Sequence, residues 1–146
     1  YINLKPIHAN ISPEAIKGHG LGLDTLATTG IPPRTAMKRF RDWIVNITPP
    51  DHKPVFIGFN APFDWMFVND YFHRYLGSNP FGHAAIDIRS YYMGLRKVTS
   101  GQASMKQIAQ QYGNHDPLTH NAMDDAIYQA RLFTAMLQES LSSQPI

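Results

Sequence analysis

Five apolar or small residues in a row, Val55-Phe56-Ile57-Gly58-Phe59, stand between Pro54 and Asn60. A continuous run without polar alternation predicts a strand covered on both faces, the habit of parallel sheets. Asn60-Ala61-Pro62-Phe63 then reads as a cap followed by proline in a first helical turn. That helix is predicted to reach about Leu76, where Gly77-Ser78-Asn79-Pro80 stops it. A buried strand feeding directly into a helix commits this stretch to an α/β layered fold.

The flanking sequence repeats the alternation. Ile2 and Leu4 alternate with Asn3 and Lys5 before Pro6, which predicts a short strand of edge character. Ser12-Pro13-Glu14 fits a helix start, and Gly18-His19-Gly20 ends that helix early. Leu21 to Pro33 is rich in Gly and Thr and is expected to be mostly loop. Between Thr35 and Ile47, Met37, Phe40, Ile44 and Ile47 recur at helical spacing, with Trp43 widening the stripe. A second strand is expected over Ala84 to Ile88, then a helical or mixed segment through Leu95. A short helix follows over Ser104 to Tyr112, a polar loop over Asn114 to Thr119, and a last helix from about Asn121 to Leu141.

The 146 residues are expected to form a single domain over 1–146. No apolar run approaches the roughly 18 residues of a membrane span, so no membrane partner is expected. Cys is absent, which removes disulfides, thiolate nucleophiles and cysteine-ligated zinc together. Thirteen Lys and Arg against eleven Asp and Glu leave a formal charge of +2, mildly basic and compatible with a polyanion. The opening Tyr1-Ile2-Asn3-Leu4 resembles neither a translation start nor a secretion signal, so upstream residues and a cytoplasmic, intracellular setting are expected.

Two groups of acids carry the chemical interest. Asp64 falls in the first turn of the helix that follows the apolar strand. An acid there favours the helix dipole by about 0.3–1 kcal/mol, which accounts for it without function. Its location matters more, because α/β sheets bind ligands beyond the carboxyl ends of their strands. The second group is His120-Asn121-Ala122-Met123-Asp124-Asp125-Ala126. With the apolar stripe of the last helix drawn through Ala122, Ala126, Ala130, Phe133 and Leu137, Asp124 lies opposite and reads as a surface acid. Asp125 lies about 60° from Ala122, at the edge of that stripe. His120 precedes the helix and can swing toward the same crevice. The other histidines, His8, His19, His52, His73, His83 and His115, show no zinc-type spacing. Asp87 is expected to brace a loop or cap a helix.

Asn60-Ala61-Pro62-Phe63-Asp64 and His120-Asn121-Ala122-Met123-Asp124-Asp125-Ala126 resemble the second and third motifs of the histidine-type DEDD 3′–5′ exonucleases, the DnaQ-like group. Similarity extends through Ile11-Ser12-Pro13-Glu14 to Gly20 and through Ile86-Asp87-Ile88-Arg89-Ser90. The resemblance implies an RNase H-like mixed sheet flanked by helices. It also implies hydrolysis of phosphodiester bonds at the 3′ end of single-stranded DNA or RNA. The implied cofactors are two Mg²⁺ or Mn²⁺ ions about 3.5–4 Å apart. By the same resemblance Asp125 would ligate the metal carrying the attacking water, Asp64 would serve the other, and His120 would be the general base. Asn60, Phe63 and Trp65 are candidates for substrate contact, although a core role is the simpler account of both aromatics. Arg34, Lys38, Arg39 and Arg41 form either a basic face for nucleic acid or an ordinary solvated helix surface.

The first motif of that group, Asp-x-Glu on the opening strand, does not occur in these residues. An N-terminally incomplete domain is therefore expected, lacking its opening strand or strands, with little hydrolysis by the 146 residues alone. The alternative is a catalytically impaired relative that binds nucleic acid or acts as a scaffold. A homodimer or a polymerase partner is left open.

Overall fold

The structure, a computed structural model, describes residues 1–8, 10, 21–112 and 121–142. The chain divides into two units, Tyr1–Val55 with Met66–Ala84, and Phe56–Trp65 with Ala85–Ile146. The expected helix after Ser12 and the expected loop over 114–119 lie outside the described residues.

In the first unit the predicted edge strand is reduced to a single parallel bridge, Leu4 to Ile31. Lys5 N donates to Ile31 O and Ile31 N to Asn3 O, at 2.9 and 2.8 Å. Gly30 makes this approach possible, since a Cβ there would fall 2.7 Å from the Lys5 backbone and 2.3 Å from the Leu26 carbonyl oxygen. The stretch expected to be loop instead contains helix α1, Leu23–Thr29. Its threonines, poor helix formers in isolation, return their hydroxyls to the backbone: Thr28 to Asp24 O and Thr29 to Thr25 O. Helix α2, Pro33–Ile47, starts two residues before the predicted Thr35 because Pro33 suits the first helical turn. Its buried face is Ala36, Met37 and Ile44. Trp43 does not join that face; it is 57% exposed and stacks on Phe40. Met37 and Ile44 pack with the fully buried Phe72, whose ring lies 5.5 Å from Phe40 and 6.2 Å from Phe81. An apolar cavity of about 670 Å³ adjoins this core on the side of Ile2, Phe40 and Tyr71.

The second unit holds the sheet. Strands β1, Phe56–Gly58, and β2, Ala85–Asp87, run parallel in the register Phe56 to Ala85, Ile57 to Ile86 and Gly58 to Asp87. The strand expected over five residues is three residues long, and it is not covered on both faces. Ile57 is 39% exposed, and among the described residues the sheet has only these two strands. Helix α3, Ala61–Leu76, ends where predicted; its first five residues belong to this unit. Helix α4, Ile88–Arg96, resolves the segment expected to be helical or mixed, and Lys97 closes it in the left-handed conformation. A 3₁₀ turn, Ser100–Gln102, leads to α5, Met105–Gln111, which Ser104 and Gln107 open with a reciprocal capping box. Helix α6, Ala122–Ser142, completes the described chain. Ile88, Tyr92, Ala103, Ile108, Leu132 and Met136 form the core of this unit. The α/β class expected from the sequence is the class observed. No described helix is long and apolar enough to cross a membrane.

Candidate active site

Asp64, Asp87 and Asp125 all belong to the second unit: Asp64 in a first helical turn, Asp87 at the end of a strand and Asp125 in the first turn of the last helix. β1 ends at Gly58, and Phe59 N donates to Gln129 Oε1 of α6 at 2.8 Å. Asn60 then turns the chain through a left-handed backbone, φ 55°, and its carbonyl accepts from Phe63 N. Asn is among the few residues that adopt this conformation at low cost. The side chain of Asn60 was expected to cap α3; instead its Oδ1 accepts from Arg89 at 3.4 Å. The cap comes from β2. Asp87 Oδ2 accepts from Ala61 N at 2.8 Å, while Oδ1 accepts from Ser90 N at 2.7 Å. One carboxylate thus opens both α3 and α4.

Asp64 stands in the first turn of α3. Partial burial pushes its pKa above the ordinary aspartate value, and a backbone hydrogen bond pulls in the other direction. The core role expected for its two aromatic neighbours holds for neither in full. Phe63 is 63% exposed, and Trp65 is half-buried with its ring 5.5 Å from Phe56. Asp64 is itself exposed at this position.

Asn121 caps α6, its Oδ1 accepting from Met123 N at 3.0 Å and its carbonyl from Asp125 N at 2.9 Å. The face this helix buries is not the one drawn from the sequence. Tyr128, Leu132, Phe133 and Met136 are buried, whereas Ala122, Ala126 and Ala130 are exposed. Counting small alanines as core residues rotated the expected stripe, because larger side chains gain more from burial. The observed face includes Asp125 and, one turn later, Gln129, which reaches Phe59. Asp125 Oδ1 is buried and has no hydrogen-bond partner among the described residues. Asp124 is exposed, as expected. His120 lies outside the described residues.

Gln129 and Arg89 are absent from the sequence-based site. A wheel centred on Tyr128, Leu132 and Met136 places Gln129 beside Asp125. Arg89 has a weaker signal, its position two residues beyond the end of a strand.

The family model for exonucleases of the RNase T type matches residues 3–133. The chain belongs to this exonuclease family. The 3′-5′ DNA exonuclease Cap18 of Escherichia coli is 44% identical over 135 residues, spanning 89% of this chain and 70% of that protein. The RNase H-like α/β architecture goes with the membership, and so does a hydrolytic nuclease class.

The donor chemistry of this exonuclease fits a hard divalent cation in one respect. A buried carboxylate oxygen without a hydrogen-bond partner is costly unless something else satisfies it, and Asp125 presents one. Among the described residues no three His, Asp or Glu side chains gather closely enough to hold an ion.

Proposed function

We propose that residues 1–146 form one exonuclease domain that removes nucleotides from the 3′ end of single-stranded DNA, with Asp125 and Asp64 holding divalent cations. The observation that carries this reading is the buried oxygen of Asp125, unpartnered among the described residues, within the motif His120-Asn121-Ala122-Met123-Asp124-Asp125-Ala126. DNA rather than RNA is chosen on the likeness to the Escherichia coli 3′-5′ DNA exonuclease.

In this reading bound Mg²⁺ or Mn²⁺ supplies polarisation of the scissile phosphate and a water of lowered pKa. The chain supplies the rest. Asp125 offers a carboxylate oxygen that no described residue hydrogen-bonds, in the first turn of α6. His120, as a neutral imidazole, accepts the proton of the attacking water. The exposed ring of Phe63 offers a base-stacking surface worth about 1–3 kcal/mol, and Trp65 is anchored against Phe56. Asn60 offers an exposed amide to the substrate backbone.

The test uses protein expressed from its complete reading frame and a 5′-labelled single-stranded DNA. Stepwise shortening from the 3′ end with Mn²⁺ or Mg²⁺, lost in Asp125→Asn, is the expected result. Faster shortening of RNA of the same sequence would move the substrate assignment. Undiminished shortening by Asp125→Asn would remove the proposed site.

A second reading, a relative that binds single strands without cutting them, draws on one observation: no three metal-ligating side chains gather among the described residues. Binding of the labelled strand without shortening in either metal would favour it.

A further inference from the structure

We propose that Asp87 and Arg89 are positioning residues that set the direction of the first turn of α3, and with it the carboxylate of Asp64. The proposal rests on the nuclease reading above.

Helix α3 begins without a cap of its own. Its preceding residue, Asn60, is held at φ 55°, and the first N–H, that of Ala61, has no intrahelical acceptor. Asp87 fills that need from the end of β2, opposite Gly58 in the register. Capping α4 needs only one oxygen, and Asp87 Oδ1 provides it to Ser90 N. The second oxygen is spent on a different helix. Asparagine can accept at only one of its two terminal atoms, so the double cap calls for a carboxylate.

Arg89 adds a second point of attachment. Its Nη2 donates to the Ser100 carbonyl and hydroxyl at 2.7 and 2.8 Å, which fixes the guanidinium on the 3₁₀ turn. Nη1 reaches Asn60 Oδ1 at 3.4 Å. The start of α3 is therefore held at the Ala61 backbone and at the Asn60 side chain. Asp64 follows Ala61 by three residues, about one helical turn. A tilt of that turn moves its carboxylate directly.

Three variants of the full reading frame test this: Asp87→Asn, Arg89→Met and, as a control, Arg96→Met. Arg96 lies on α4 in the same unit but pairs with Glu139 of α6, away from the turn. Mn²⁺ binding is measured by calorimetry without DNA, alongside kcat, KM and thermal unfolding. Asp87→Asn is expected to weaken Mn²⁺ binding and lower kcat by about tenfold, with KM nearly unchanged, as loss of a group that orients a metal ligand does. Arg89→Met follows in the same direction by about threefold and keeps the test alive if Asp87→Asn fails to fold. Arg96→Met lowers the melting temperature and leaves both readouts alone. Wild-type Mn²⁺ affinity and kcat in the variants at Asp87 and Arg89 overturn the proposal, and so does an equal loss in Arg96→Met. An active wild type with such inert variants fails this proposal only. A wild type that neither binds Mn²⁺ nor shortens DNA fails the nuclease reading, and this proposal with it.

Discussion

Asp125 and Asp124 are neighbours in sequence with opposite surroundings. Asp124 faces solvent, while Asp125 turns an oxygen inward where no described group donates to it. An unsatisfied buried polar group costs about 1–3 kcal/mol. Asp125→Asn is therefore expected to leave the chelator-treated protein as stable as the wild type or more so, while cutting cleavage by about a hundredfold or more. Thermal unfolding with EDTA and a cleavage assay on the same preparation check the two halves; a variant that melts earlier would contradict the inward, unpartnered oxygen. Asp64 carries a pH signature. Its folded-state pKa is raised, so between the ordinary aspartate value and the raised one the folded chain binds more protons than the unfolded chain. Stability contributed by Asp64 is thus full below that window and lost as pH rises through it. Asp64→Asn should flatten this part of the curve, and parallel stability–pH profiles for both proteins would disprove the assignment. Partial exposure keeps the effect small.

At the level of elements, α4, α5 and α6 are joined by a polar cluster. Arg96 Nη2 and the Tyr112 hydroxyl both donate to Glu139 Oε2, at 2.6 and 2.7 Å, and the Arg96 guanidinium lies 5.6 Å from the Tyr112 ring centre. A pair with side chains 29% and 31% exposed gains little from charge alone, but shared hydrogen bonds couple its members. A double-mutant cycle of Arg96→Met and Glu139→Gln is expected to give a coupling of about 0.5–1.5 kcal/mol in urea unfolding; additive losses would mean the contact contributes nothing. Burial first, and then the hydrogen bond to Glu139, push the Tyr112 hydroxyl up to about 12. As pH rises beyond the ordinary tyrosine value of 10.0, the unfolded chain loses this proton before the folded one does. Stability is expected to fall over that window, and Tyr112→Phe to remove the fall. The helices themselves were legible in sequence, because Met37 and Ile44, or Met105 and Ile108, repeat at the helical period. α1 was not. Its threonines and flanking glycines read as loop until backbone acceptors within the turn satisfy their hydroxyls.

Across the whole molecule, each unit has a core of its own, built around Phe72 in one and around Leu132 and Met136 in the other. Phe72→Ala is expected to cost about 3–5 kcal/mol and Met136→Ala about 2–5 kcal/mol. Denaturant unfolding checks both, and a cost near zero for either would show that its core is misidentified. The amino-acid order alone determined the α/β class, the βα step at Gly58 to Ala61 and the two motif words that carry the exonuclease resemblance. Those are local: a period, a cap signal and a short string of residues are written in neighbouring positions. Tertiary structure decided which face of α6 is buried, because area removed from water, rather than membership of an apolar class, selects Tyr128, Leu132 and Met136 over the alanines. It also decided that Asp87 caps α3 across 26 residues of chain, a bond that no local pattern encodes because its donor and acceptor meet only once β1 and β2 have paired.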